Sequence, residues 1–206
     1  MNPAINDQSV TEISSCRISG SSHLVSVLNL GVQHLTGVFP RSPREAVTKG
    51  PLELVWCPDS GLLQLKHSYS LSEMYGENYG YRSGLNSSMV AHLSGMVRGI
   101  ERRYPVKAGD WVLDIGSNDG TLLKSYATTG LRRVGMDPTA GKFREHYPDD
   151  IEVVTDFFSA SAFLAVTGGR RARVVTSIAM FYDLERPAEF VRDIASVLAP
   201  DGVWHF

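Results

Sequence analysis

Only two cysteines, Cys16 and Cys57, occur among the 206 residues of this chain. Two thiols with no secretory signal are too few for a disulfide framework. No apolar run approaches the roughly 18 residues that a membrane span requires. Met1 to Ser15 has neither the basic nor the apolar region of a signal peptide. A cytoplasmic protein without membrane contact is expected. Charge of one sign is also scarce: 20 Lys and Arg stand against 22 Asp and Glu, a formal charge of −2. With no basic stripe, nucleic acid is not an expected partner. The 43% of hydrophobic residues suffices for one full domain and a smaller piece.

The most informative stretch runs from Val112 to Gly120, where Val112-Leu113-Asp114-Ile115 ends in Gly116-Ser117-Asn118-Asp119-Gly120. An apolar run thus enters a small-residue turn bearing carboxylates, and a helix-like sequence follows. Gly116 and Gly120 can take positive φ and let the backbone approach a ligand; Asn118 and Asp119 suit a turn. That is the pattern of a nucleotide-type cofactor cradle. Asp114 and Asp119 place negative charge where a pyrophosphate would want bare amides, so a cationic ligand without phosphate fits better. S-adenosylmethionine (SAM), with its sulfonium and ammonium groups, is such a ligand. Asp137, ending the next apolar run, stands where an acid can grip ribose hydroxyls. The competing reading is an ordinary strand-turn-helix corner with solvated acids.

Met1 to Ser15 reads as a polar tail and residues 16–68 as a small β-rich piece, with strands at Leu24 to Leu30, Leu52 to Trp56 and Leu62 to Leu65. Cys16-x-x-Ser19 and Cys57-x-x-Ser60 look like two zinc knuckles, each without its second cysteine. Serine is a poor zinc ligand, so Cys16 and Cys57 are weak metal candidates unless His23 or His67 fills in; otherwise they are buried thiols acting as small hydrophobes. Residues 69–105 form a tyrosine-rich loop and a linking helix. Tyr69, Tyr75, Tyr79 and Tyr81 interleave with Glu77, Asn78 and Arg82, a mixture suited to a sugar or nucleotide, or to packing against the next domain. A helix is expected over Gly84 to Tyr104, ended by Pro105; His92 within it is left out of the site.

From residue 106 the alternation is regular. Strands are expected at Trp111 to Ile115, Val134 to Met136, Val153 to Thr155, Val174 to Ser177 and Val203 to Phe206. Helices are expected around Gly120 to Thr129, Thr139 to His146, Ala160 to Val166 and Ala188 to Leu198. This argues an α/β fold with a parallel, doubly wound sheet, whose ligands lie outside the carboxyl ends of the strands. Gly116, Asn118, Asp119, Asp137, Asp156, Phe157, Ile178 and Ala179 all fall at that edge. Asp156 suits an adenine amino group with Phe157 or Phe158 against the ring; alternatively Asp156 caps the next helix and Phe158 is core.

Asp114 to Gly120 together with Asp137 resembles the motifs of class I SAM-dependent methyltransferases, which have a Rossmann-like sheet. Upstream, Cys16-Arg17, Leu30-Gly31, Pro51 to Leu54, Gly61 to Leu65 and Tyr79 to Asn86 resemble the N-terminal zinc-binding domain of sugar C-methyltransferases. The resemblance runs from Cys16 to the end of the chain, and Tyr79 to Asn86 is its most specific block. It implies SAM held by Asp114, Gly116, Asn118, Asp119, Gly120, Asp137, Asp156, Phe157 and Ala179. It also implies a nucleotide-linked keto-deoxysugar near Tyr79, Tyr81, Arg82 and Asn86, with Tyr79 the candidate to assist catalysis. Such enzymes deprotonate the carbon beside the sugar ketone, and the stabilised enolate attacks the SAM methyl.

Three departures accompany the resemblance. The zinc cysteines are halved. Ala179 and Asp183 stand where many relatives carry an Asn and a His. Relatives also continue for about another domain with a Glu-His pair that supplies the base, so an N-terminal part that does not turn over alone is expected. A methyltransferase for another small molecule or for RNA, and a non-catalytic SAM-binding protein, remain alternatives. The oligomeric state is not readable.

Overall fold

Short apolar runs punctuated by Gly, Ser and Pro make the N-terminal region a set of antiparallel strands. The structure, a computed structural model, describes residues 10–35, 40–75 and 79–206. The chain divides into two units, Met1–Tyr81 with Glu185–Ala188, and Arg82–Leu184 with Glu189–Phe206. The division falls within the segment expected to link the domains, and the helix of that segment goes with the second unit.

The first unit contains β1 (Val10–Glu12), β2 (Val25–His34), β3 (Lys49–Trp56), β4 (Leu63–Leu65) and β5 (His67–Tyr69), then a short helix α1 (Leu71–Met74). β1 pairs with β5, so the expected polar tail contains a strand; β2, β3 and β4 form a second sheet in that order. Register places Val25, Trp56 and Leu63 in one cross-strand row and Leu28, Leu54 and Leu65 in the next. Because side chains alternate between faces, these rows share one face, and Val25, Leu28, Trp56, Leu63 and Leu65 on it are exposed. On the other face Val55 and Gln64 are buried. Arg17 fastens that side, donating to the Gln64 side-chain oxygen (3.2 Å), the Leu65 carbonyl (2.7 Å) and the Ser68 hydroxyl (2.7 Å).

In the second unit α2 (Ser87–Arg103) begins at Asn86, whose side chain accepts from the Ser88 amide at 3.0 Å, a standard N-cap. Ser83–Leu85 forms a separate 3-10 turn before it, so the helix starts later than its apolar period suggested. β6 (Trp111–Ile115), β7 (Arg132–Met136), β8 (Ile151–Val154), β9 (Ala172–Thr176) and β10 (Leu198–His205) make a five-stranded sheet, ordered β10-β9-β6-β7-β8. Every pairing is parallel, as expected of the α/β reading. Alternate residues of β6 feed two cores. Val112 joins Leu93, Val97 and Ile100 of α2, while Leu113 joins Phe163 of α3 (Ala160–Thr167) and Ile194 of α4 (Pro187–Val197).

Two expected helices do not form as α-helices. Gly120 to Thr129 contains only a 3-10 turn at Leu123–Ser125, and Thr139 to His146 becomes a kinked 3-10 run at Ala140–His146. In both, an acidic side chain captures the opening backbone: Asp119 accepts from the Thr121 amide and Asp137 from the Thr139 amide. Such local bonds compete with the helical ladder, and Gly141 and the β-branched pair Thr128-Thr129 add little helix propensity. Among the described residues no helix is long and apolar enough to cross a membrane.

Candidate cofactor site

The turn after β6 gathers three carboxylates of the second unit. Asp114, the penultimate residue of β6, is 3% exposed and accepts from the Thr176 hydroxyl of β9 at 2.6 Å. Burial pushes its carboxyl up to about 7; the Thr176 bond opposes this and the charge of Asp137 adds to it. Asn118 sits at φ 51°, in the left-handed region that Asn tolerates. Its amide donates to Asp137 Oδ2 at 2.8 Å, and its side-chain oxygen accepts from the Ser83 amide at 2.9 Å. Asp119 Oδ1 accepts from the Thr121 hydroxyl at 2.6 Å, Oδ2 accepts from the Gly84 amide at 2.9 Å, and Arg82 Nε forms an ion pair with Oδ2 at 4.0 Å. Asp137 Oδ1 accepts from the Thr139 amide and hydroxyl, both at 2.6 Å.

Tyr147 braces this turn. Its hydroxyl lies 2.8 Å from the Ser117 hydroxyl and donates to the Asn118 carbonyl at 2.8 Å. Burial holds the phenol well above its ordinary range, so it stays protonated. Gly120, at φ 72°, lies so close that a Cβ there would meet the Tyr147 ring at 2.8 Å. A side chain at 120 would therefore displace the brace as well as strain the backbone.

The arrangement has definite chemical consequences. Asp119 is engaged mainly inside the protein, tying the Arg82 to Gly84 segment to the turn. Asp137 keeps acceptor capacity, because each carboxylate oxygen has two lone-pair directions and Oδ2 takes a single amide in this network. Asp114 sits in a poorly solvated pocket where a negative charge is costly unless a positive group comes near. A ligand bearing a cation and vicinal hydroxyls matches these requirements; a pyrophosphate does not.

The other expected residues divide. Asp156 and Phe157 follow β8 and are exposed, with Asp156 accepting from the Phe157 amide at 2.7 Å. Ser159, not Asp156, caps α3, its hydroxyl accepting from the Ala162 amide at 3.2 Å. Phe158 packs edge-on against Phe190 at 5.4 Å, whereas Phe157 is exposed. Ala179, after β9, has φ 55°, unusual for a residue with a Cβ. In the first unit Tyr79 lies tilted against Tyr75 at 5.4 Å and Tyr81 is exposed. Asn86, expected at the substrate, spends its side-chain oxygen on the α2 cap, and His92 is exposed. Glu77 and Asn78 lie outside the described residues. Sequence reasoning missed Tyr147, Thr139 and Thr176. Thr139 was within reach, since Asp-Pro-Thr is a turn sequence in which the acid binds two residues on; nothing local marks the other two.

Comparison with known proteins follows the same division. Residues 16–75 match a family described as "Putative zinc binding domain", and residues 92–206 match a family described as a methyltransferase domain. The C-methyltransferase NovU of Streptomyces niveus is 27% identical over 198 residues, covering 95% of this chain and 47% of NovU. The chain thus spans about half the length of that relative. Solved SAM-dependent methyltransferases from Thiobacillus denitrificans and Geobacter sulfurreducens, each in complex with S-adenosyl-L-homocysteine, are 18% and 20% identical, with TM-scores of 0.39 and 0.38. Each of these matches covers 58% of this chain and 47% of the other. The methyltransferase match takes in more than half of the chain, including the parallel sheet and the glycine turn, and the chain belongs to the methyltransferase domain family.

Proposed function

We propose that this chain carries the SAM-binding part of a C-methyltransferase whose substrate is a nucleotide-linked keto-deoxysugar. The observation that carries the cofactor reading is the acidic turn, in which Asp114, Asp119 and Asp137 are all buried and the Asn118 amide is already taken by Asp137, a setting whose negative charge disfavours a phosphate. Asp137 holds the ribose hydroxyls, Asp156 accepts from the adenine amino group with Phe157 against the ring, and Asp114 faces the cationic end of the cofactor. Gly116, Gly120 and Ala179 shape the backbone around it. When bound, SAM supplies an electrophilic methyl group.

For the substrate, support comes from NovU, named a C-methyltransferase, and from the tyrosine-rich block. Tyr79 and Tyr81 offer ring faces and hydroxyls to a sugar, Arg82 offers a guanidinium to an anionic group, and Tyr79 can hold a proton near the ketone. A cytoplasmic location accords with such a substrate. Calorimetry with SAM tests the cofactor assignment directly. Asp137→Ala is expected to weaken binding by about 1–3 kcal/mol, the usual loss of a hydrogen bond to a charged group; unchanged affinity would overturn the ribose role. Methyl transfer from labelled SAM to a nucleotide-linked keto-deoxysugar tests the substrate.

A further inference from the structure

The first unit matches a family described as zinc-binding, yet its donor set does not suit that metal. Structural zinc takes four thiolate or imidazole ligands in most sites. Among the described residues no three His, Cys, Asp or Glu side chains converge as a metal set. His23 stands beside Asp59, with Nδ1 3.8 Å from the carboxylate. What does converge is a pair of like turns, Cys16-Arg17-Ile18-Ser19-Gly20 and Cys57-Pro58-Asp59-Ser60-Gly61. Each is closed by its glycine amide donating to the cysteine carbonyl, at 2.9 and 2.8 Å, with the glycines at φ 72° and 74°.

Across the two turns the side chains meet in a crossed pattern. Cys16 Sγ lies 3.3 Å from Ser60 Oγ, and Cys57 Sγ lies 3.6 Å from Ser19 Oγ. Each thiol is joined to the hydroxyl of the opposite turn, and both cysteines are buried. We propose that these crossed thiol–hydroxyl hydrogen bonds replace a metal. They hold the two knuckles in a four-ligand arrangement that needs no cation and regains zinc when Ser19 and Ser60 are both cysteine.

The physical case rests on charge. Four thiolates brought together repel one another and require a dication; here two of the four groups are uncharged hydroxyls, and each hydroxyl is hydrogen-bonded to the sulfur of the opposite turn. Serine differs from cysteine by one atom, so the exchange leaves the backbone of the turn in place. A serine hydroxyl does not ionise near neutral pH, so the exchange also removes two of the four charges that hold zinc.

The experiment uses the full chain. Elemental analysis of the dialysed wild type is expected to give well under one zinc per chain, and a chelator is expected to leave its melting temperature unchanged. The double variant S19C/S60C is expected to hold about one zinc per chain, to show thiolate-to-metal absorption when titrated with cobalt, and to become sensitive to chelator. Stoichiometric zinc in the wild type would overturn the proposal. So would a double variant with wild-type circular dichroism that takes up no metal. Should the double variant fail to fold, Ser19→Ala and Ser60→Ala decide the matter. Each breaks one crossed bond and is expected to lower the melting temperature by a few degrees, and unchanged melting in both would refute the hydrogen-bonded joint.

Discussion

The two units meet the same demand with different materials. The second places one sheet between two apolar clusters, with Val112, Val134, Val174 and Phe163 all fully buried. The first has a three-stranded sheet with one apolar face exposed, and its fully buried hydrophobic residues among those described are Cys16, Val55 and Cys57. A sheet covered on both faces draws its stability from area removed from water. One covered on a single face buries too little and must be fixed by directional bonds, here the Arg17 fan and the crossed knuckles. The lesson is that a side-chain deletion should cost according to the material of its unit, not according to its size alone.

The largest effect expected is in the sheet core. Phe163→Ala should destabilise the second unit by about 3–5 kcal/mol, the range for emptying a buried aromatic site. Val55→Ala should cost the first unit about 1–2 kcal/mol, for two lost methyl groups. Urea unfolding followed by tryptophan fluorescence measures both, and equal costs would erase the contrast.

A smaller effect distinguishes charge from packing inside the second unit. The Asp114 carboxyl is raised from 3.8 to about 7 in the fold. On raising pH the unfolded chain therefore loses this proton first, and the fold loses stability between about pH 4 and pH 7, then levels off. Asp114→Asn should remove that slope and make the protein more stable at pH 8 by on the order of 2–4 kcal/mol. Urea midpoints at pH 5 and pH 8 test this; a slope that survives in the variant would place the titration elsewhere.

The smallest effect concerns the backbone. Ala179 holds φ 55°, a region that costs a residue with a Cβ about 1–2 kcal/mol. Glycine would remove that cost while adding unfolded-state entropy of about 0.5–1 kcal/mol. Ala179→Gly should then raise stability by roughly 0.5 kcal/mol, seen as a small rise in melting temperature; a fall would show that the alanine methyl packs usefully.

The parallel sheet was legible because its strands are apolar runs at regular intervals that alternate with helical stretches; the strand order was not, because alternation alone is compatible with several orders. Strand starts were less so. Arg132 and Arg133 open β7 and Arg173 lies in β9, where charge hides a strand unless its partner is known. Arg133 is paired with Asp150, and Arg173 with Asp201 at 2.8 Å. The helices after β6 and β7 were misread because period alone does not reveal that Asp119 and Asp137 accept from the amides two residues on. At the site, the acids were legible by type and spacing. Asn86 was assigned to substrate on motif resemblance, although an Asn before Ser87-Ser88 also signals a helix start.

Tyr147 carries a consequence for anyone who would move this site. Its hydroxyl satisfies the Ser117 hydroxyl and the Asn118 carbonyl across about thirty positions of chain, and its ring occupies the space that Gly120 leaves open. Residues 112–121 are therefore not a portable cassette. Grafted alone into another parallel sheet, they would arrive with a buried carbonyl and hydroxyl seeking a partner and a void beside Gly120. A transplant that keeps its shape has to bring the second strand and everything up to residue 147, so the smallest exchangeable piece of this protein is a strand pair with both of its following turns.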